Sequence, residues 1–250
     1  MKNNATNSAA LRQRISLQNN HTIDLNKWIF DRIGKYKAKS ILELCSGTGA
    51  QTQYLRTNFT DACITCVDIS DESMRRSKGT NGTSRIEYVV ADIDETDHYL
   101  NRTYDLIFCS YGFYYSKDWP ALHYKLRRCI LPGGKIVIVG PIRGNNRQLF
   151  DIVRSIGAEI PAEVYSSSET FMLDLLTAFV DGYPTVSLHR VMNNITYDSV
   201  EALFRYWSNT TFYDSRFNDA FLEKAASYFS ESPVIITKSI GYLEATNEDQ

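Results

Sequence analysis

Short apolar runs broken by glycines and acids recur through the first 140 residues: I-L-E-L at 41–44, A-C-I-T-C-V at 62–67, R-I-E-Y-V-V-A at 85–91, Y-D-L-I-F-C at 104–109 and K-I-V-I-V at 135–139. Each has the length and density of a strand buried on both faces. Between them the spacing changes to that of helices. Behind Asp24, a helix-capping residue, Leu25, Trp28, Ile29, Arg32 and Ile33 share one face of a segment over 25–36, and 50–56, 71–77 and 121–130 read the same way. Strand and helix in strict alternation predict an α/β fold with a parallel sheet.

Beyond residue 140 the alternation loosens. Helices are predicted at 146–156, 171–179, 198–207 and 217–228, and strands at 186–195 and 233–243. Residues 1–22 are polar and asparagine-rich, which predicts a flexible N-terminal segment with a short helix near 9–17.

Composition narrows the function classes. Of 250 residues 43% are hydrophobic and 22% charged, values of a globular chain. A net charge of -2 gives no field for gripping a phosphate backbone, so no nucleic-acid partner is expected. No apolar run approaches the roughly 18 residues of a membrane helix, and the first ten residues lack the apolar core of an export signal, so a cytoplasmic protein without membrane contact is expected. The tripeptides at Asn58, Asn81, Asn101, Asn194 and Asn209 that match glycosylation acceptors are then incidental. Cys63 and Cys66 have CxxC spacing, but residues three apart on a strand face opposite sides and no second pair completes a metal site; none is expected.

The chemistry concentrates at 41–52, I-L-E-L-C-S-G-T-G-A-Q-T, a strand that breaks into a glycine turn and enters a helix. In a doubly wound sheet that unit sits at the carboxyl edge, where ligands bind and a helix N-terminus offers free donors. A dinucleotide fingerprint needs a third glycine or alanine, and Thr52 stands there. The run Glu43, Leu44, Cys45, Ser46, Gly47, Thr48, Gly49 instead resembles the first motif of class I S-adenosylmethionine-dependent methyltransferases, with Glu43 in place of the commoner aspartate and Cys45 in place of the first glycine. Asp68 follows the glycines by about twenty residues, the offset at which an acid meets ribose hydroxyls. Asp92 follows the third apolar run, and L-P-G-G-K precedes the fifth, so the resemblance covers about 40–140.

The resemblance implies a Rossmann-like, doubly wound seven-stranded sheet with a helical cap over an acceptor pocket. It divides the chain into a cofactor-binding core at 23–140 and, at 141–250, cap helices (141–184 and 197–231) with the last two strands. The implied cofactor is S-adenosyl-L-methionine. Its methionine end is expected at Glu43, Cys45, Ser46, Gly47, Thr48 and Gly49 and at Ser110 and Tyr111 after the fourth strand; its ribose at Asp68 and Ile69; its adenine at Asp92 and Ile93. The implied partner is a small-molecule methyl acceptor, methylated at oxygen or nitrogen by a monomer or homodimer. Tyr114 occupies a position where relatives of small-molecule type carry histidine, and Tyr114 and His123 are the catalytic candidates. Arg143 and Arg147 are candidates for holding an acidic group, against a solvated loop as the plainer account. Two other classes stay open: a protein or nucleic-acid methyltransferase, which would want a basic face or an N-P-P-Y loop, and a non-catalytic binder of the cofactor or its product.

Overall fold

The computed structural model describes residues 8–18, 20–34, 36–229 and 233–247. Its seven strands are β1 (Ser40–Leu44), β2 (Cys63–Asp68), β3 (Ile86–Val90), β4 (Tyr104–Ser110), β5 (Ile130–Pro141), β6 (Thr185–Tyr197) and β7 (Val234–Thr246). They form one sheet in the order β3-β2-β1-β4-β5-β7-β6. β1 to β5 run parallel, with Leu42 beside Thr65 on one side and Ile107 on the other. The order reverses between β1 and β4, so their carboxyl ends open a crevice at the switch point. β5 begins earlier than its apolar run because Ile130 already pairs with Tyr104; the register against β4 shifts before Lys135, and Gly133 and Gly134, still in the strand, exchange backbone hydrogen bonds with Asn247.

The chain separates into two compact units, each built from several segments. The first comprises 25–140, 171–190 and 241–250. It holds β1 to β4, most of β5, and the helices α2 (Leu25–Ile33), α3 (Ala50–Asn58), α4 (Asp71–Asn81), α5 (Trp119–Cys129) and α8 (Phe171–Gly182). Ile41, Leu42, Leu44, Leu106, Ile107, Phe108 and Cys109 are fully buried, as strands covered on both faces require. Local chemistry starts the helices where the sequence places them. The Ser70 hydroxyl accepts from Ser73 N at the head of α4, and Asp118 accepts from Ala121 N at the head of α5, with Pro120 in its first turn.

The second unit comprises 1–24, 141–170 and 191–240. It contains α1 (Ser8–Ser16), α6 (Arg147–Ser155), α7 (Ala162–Glu169), α9 (Val200–Ser208) and α10 (Asn218–Phe229). Trp207 stacks on Phe221 at 4.2 Å in a core with Leu149, Ile152, Val153 and Ile236. The cap segment of the sequence reading, 141–250, is therefore divided, with α8 grouping with the parallel strands. The short helix expected near 9–17 is α1; past it His21 bridges Ile195, and Ile23 N and the Thr22 hydroxyl both donate to Asn193 Oδ1. A polar stretch gains order here because Asn193 supplies what water would otherwise supply. The flexibility expected of 1–22 falls, at residues 1–7 and 19, outside the described residues.

Candidate functional site

The crevice between the ends of β1 and β4 is lined by strained backbone. Cys45, directly after β1, has φ 54°, and Tyr111, directly after β4, has φ 57°. Left-handed conformations at non-glycine residues cost about 1 kcal/mol or more each and gather where a surrounding structure holds a ligand site in shape. Gly47 and Gly49 turn the same way, at 55° and 84°. Gly49 is the N-cap of α3 and no side chain caps that helix, so its first N–H groups face outward for an incoming acceptor.

Two close approaches shape the cradle. A Cβ on Gly112 would lie 2.2 Å from Cys45 Cβ and 2.6 Å from its sulfur. A Cβ on Gly49 would lie 2.2 Å from Ser77 Oγ. The Asn81 amide, buried at the end of α4, donates to Gly49 O at 3.0 Å and ties the turn to the neighbouring helix. Ser110 Oγ is buried without a hydrogen-bond partner, an orphan at the end of β4 beside the turn. An orphaned hydroxyl in a crevice lined by backbone donors fits a ligand with polar groups of both kinds, as the amino-acid end of S-adenosylmethionine has.

Asp68 sits at the tip of β2 and accepts from Gly47 N at 2.8 Å and Ser70 N at 2.9 Å. Burial pushes its carboxyl above the usual range, against the pull of those two backbone donors. Each oxygen keeps a lone pair for a further donor. Ile69 beside it is 50% exposed, a large apolar side chain offered beside a polar one. Asp92, after β3, accepts from Asp94 N and lies 3.6 Å from the Lys117 ammonium. Ile93 is buried and its carbonyl accepts from the Tyr99 hydroxyl.

Glu43 is placed differently from the sequence expectation. Its carboxylate is 1% exposed and lies beneath the turn, accepting from the Thr52 hydroxyl at 2.6 Å and the Cys66 thiol at 3.4 Å. Burial raises its pKa to about 7, partly offset by those two bonds. Thr52, which replaces the third glycine, is fully buried and is the donor that braces this acid. Sequence reasoning missed that pairing, although a strand acid followed by a hydroxyl in the next helix was its signal. Cys66 thereby belongs to the brace while Cys63 is exposed, and among the described residues no three His, Cys, Asp or Glu side chains group to hold a metal.

Tyr114 belongs to a single 3-10 turn, Phe113–Tyr115, after β4. Its ring meets Phe171 edge-on at 5.9 Å and Tyr115 at 4.8 Å, and a Cβ on Gly140, near the end of β5, would come within 3.8 Å of it. Asp94, another residue the sequence reading did not single out, holds this loop by accepting from the Ser116 hydroxyl at 2.5 Å and Lys117 N at 2.9 Å. His123 is elsewhere. It is 8% exposed on α5, stacked on Phe179 at 4.7 Å and against Tyr183 at 5.5 Å, with Nε2 unpaired. Burial, with the Arg127 charge second, lowers its pKa to about 4, so it stays neutral at physiological pH as part of an aromatic stack. Of the two catalytic candidates, Tyr114 thus lies in the loop after β4 and His123 in this stack. Arg143 is 3.9 Å from Glu169, whose carboxylate also accepts from Gly144 N, and Arg147 is exposed in the first turn of α6.

Comparison with known proteins bears on this geometry. Residues 41–134 match a family model described as a methyltransferase domain. A malonyl-[acyl-carrier protein] O-methyltransferase of Priestia megaterium is 32% identical over 98 residues, 39% of this chain and 35% of the relative. A second of Coxiella burnetii is 26% identical over 110 residues, 44% of each chain. The chain thus spans under half the length of these curated relatives. Phosphoethanolamine N-methyltransferase 2 of Haemonchus contortus, solved with S-adenosyl-L-methionine, superposes with a TM-score of 0.60 at 15% identity, covering 97% of this chain and 58% of that one.

Proposed function

We propose, for a chain that belongs by its domain and fold to the class I S-adenosylmethionine-dependent methyltransferases, transfer of a methyl group to an oxygen or nitrogen of a small-molecule metabolite. The observation that carries the reading is the strained, glycine-packed crevice between β1 and β4 with the Asp68 carboxylate at its rim. The two curated relatives are named as methylating oxygen on a malonyl group, which favours an oxygen acceptor here.

When bound, S-adenosylmethionine supplies an electrophilic methyl group on a positively charged sulfur. The residues that would hold it lie at the ends of β1, β2, β3 and β4. Thr48 N and the head of α3 would present backbone donors to a carboxylate, since Gly47 N and Gly49 N are spent on Asp68 and Ser46 O; Ser110 Oγ would gain a polar partner; Asp68 would accept from vicinal hydroxyls; and Asp92 would accept from an amine. Glu43 contributes from below, holding β1, β2 and α3 together through Thr52 and Cys66. Cys45 stays a thiol, because its hydrogen bond with Cys109 and its burial hold its pKa well above the usual value. Displacement at a methyl carbon asks the protein mainly to align nucleophile and leaving group and to exclude water. The aromatic loop is suited to both, with the Tyr114 hydroxyl orienting the acceptor.

Two substitutions test the residue roles. Asp68→Ala should weaken binding of S-adenosylhomocysteine about 10- to 100-fold by calorimetry, since it removes both the acceptor and the bond that holds Gly47 N. Unchanged affinity removes Asp68 from the site. Tyr114→Phe should lower turnover about tenfold at unchanged cofactor affinity, the effect of one lost orienting hydrogen bond, while His123→Phe should leave both unaltered. A large loss of turnover in His123→Phe would reverse that assignment. The reading as a whole is tested by transfer of a labelled methyl group to candidate acceptors, malonyl-loaded carrier protein and free carboxylic acids among them. Tight binding of the cofactor without transfer to any acceptor would favour the non-catalytic binder.

A further inference from the structure

The second unit buries a cation without a counter-charge. Lys238, on β7, is 7% exposed, and its ammonium donates to Asn146 Oδ1 at 2.5 Å and to the Tyr206 hydroxyl while lying 4.4 Å from the centre of the Tyr206 ring. Its recorded partners are these two neutral groups, and among the described residues no carboxylate forms an ion pair with it. An ammonium has three donors, so one is unspent. Burying such a charge without an anion is expensive.

The surroundings add donors. Tyr197, 2% exposed at the end of β6, packs its ring 5.5 Å from that of Tyr206, and its hydroxyl is buried with no partner. Burial and the neighbouring Tyr206 oxygen raise the Tyr197 pKa, so the hydroxyl keeps its proton to donate. The Tyr206 oxygen receives a hydrogen from Lys238, which leaves its own hydrogen to give away. Asn146 has φ 57° at the head of α6 and spends its side-chain oxygen on Lys238 instead of capping that helix. The conformation is a costly one for a non-glycine residue.

We propose that Lys238, Tyr206 and Tyr197 form a binding site for the carboxylate of a small molecule. One ammonium and two phenols match the single charge and two oxygens of a carboxylate; a phosphate dianion would leave charge unmatched. The site lies wholly within the second unit and does not depend on methyl transfer.

The test is titration of the whole chain with sodium acetate and sodium malonate, followed by calorimetry and thermal unfolding, with phosphate as the contrasting anion. Acetate or malonate should raise the unfolding temperature by several degrees, and phosphate at equal concentration should not. Lys238→Met, which keeps the bulk and removes the charge, should abolish the shift. Tyr197→Phe should weaken binding about tenfold, the loss of one hydrogen bond to a charged group. Absence of any carboxylate effect on the wild-type chain, an equal response to phosphate, or full retention of binding in Lys238→Met overturns the proposal. Should Lys238→Met fail to fold, Tyr197→Phe, which deletes only an unpaired hydroxyl, decides the matter: unweakened binding overturns it. Titration of the wild-type chain with S-adenosylhomocysteine reads the methyltransferase assignment separately.

Discussion

Gly112→Ala should cost about a hundredfold in affinity for S-adenosylhomocysteine, together with about 3 kcal/mol of stability, the upper end of what overpacking a tight interior does. The backbone at Gly112 has φ −137°, which alanine accepts, so the effect is one of space alone. The added methyl would meet Cys45 Cβ at 2.2 Å, and a Cβ is not the movable end of a flexible side chain. Cys45 is itself fixed at φ 54° by the turn that follows β1, so relief requires the β1 and β4 loops to part. Those loops are the two walls of the crevice. The double substitution Cys45→Gly with Gly112→Ala removes the clashing atoms and suits the left-handed backbone, leaving the Cys109 sulfur at 3.3 Å as the nearest remaining contact. It should recover most of the affinity. Normal binding by Gly112→Ala alone, or failure of the double variant to improve on it, would show that the close approach does not shape the cradle.

Glu43→Gln should remove a pH dependence of stability worth about 3 kcal/mol, from a pKa of about 7 in the folded chain against an ordinary value of 4.5. The sign follows from which state binds the proton more tightly. Below pH 4.5 the carboxyl is protonated whether the chain is folded or not, and contributes no penalty. As pH rises from 4.5 to 7 the unfolded chain ionises while the folded chain holds its proton, so stability falls through that window and levels off above it. Glutamine keeps an oxygen that can accept from both Thr52 and Cys66, and it carries no charge to desolvate. The variant should therefore be more stable than the wild type at pH 8 and equal to it near pH 4. Denaturant unfolding across that range checks this. Parallel pH profiles for the two proteins would mean that Glu43 is ionised and compensated in the fold.

Both predictions concern residues whose importance the chain shows only in three dimensions. The S-G-T-G turn, the acids at 43, 68 and 92, and the apolar runs before them are local signals, and they sufficed to place the parallel strands and the crevice within a few residues; the L-P-G-G run, read as a turn, is part of β5. What Glu43 does was not legible, because its direction depends on Thr52 and Cys66, nine and 23 positions away. Read along the chain, Thr52 was a missing glycine; in the fold it is the donor that makes a buried acid tolerable. The place of His123 was not legible for a similar reason. A histidine on an amphipathic helix looks the same whether that helix turns it toward a reacting group or into Phe179 and Tyr183.

By itself the sequence determined the alternation of strands and helices, the glycine turn after β1 and hence the kind of ligand the crevice suits, because periodicity and backbone freedom are properties of neighbouring residues. The tertiary structure decided the rest: which acid points inward and which outward, that Gly112 rather than another residue faces Cys45, and that Lys238, Asn146, Tyr197 and Tyr206 meet at all. Burial and charge pairing are set by contacts between distant segments, and these exist only once the chain has folded.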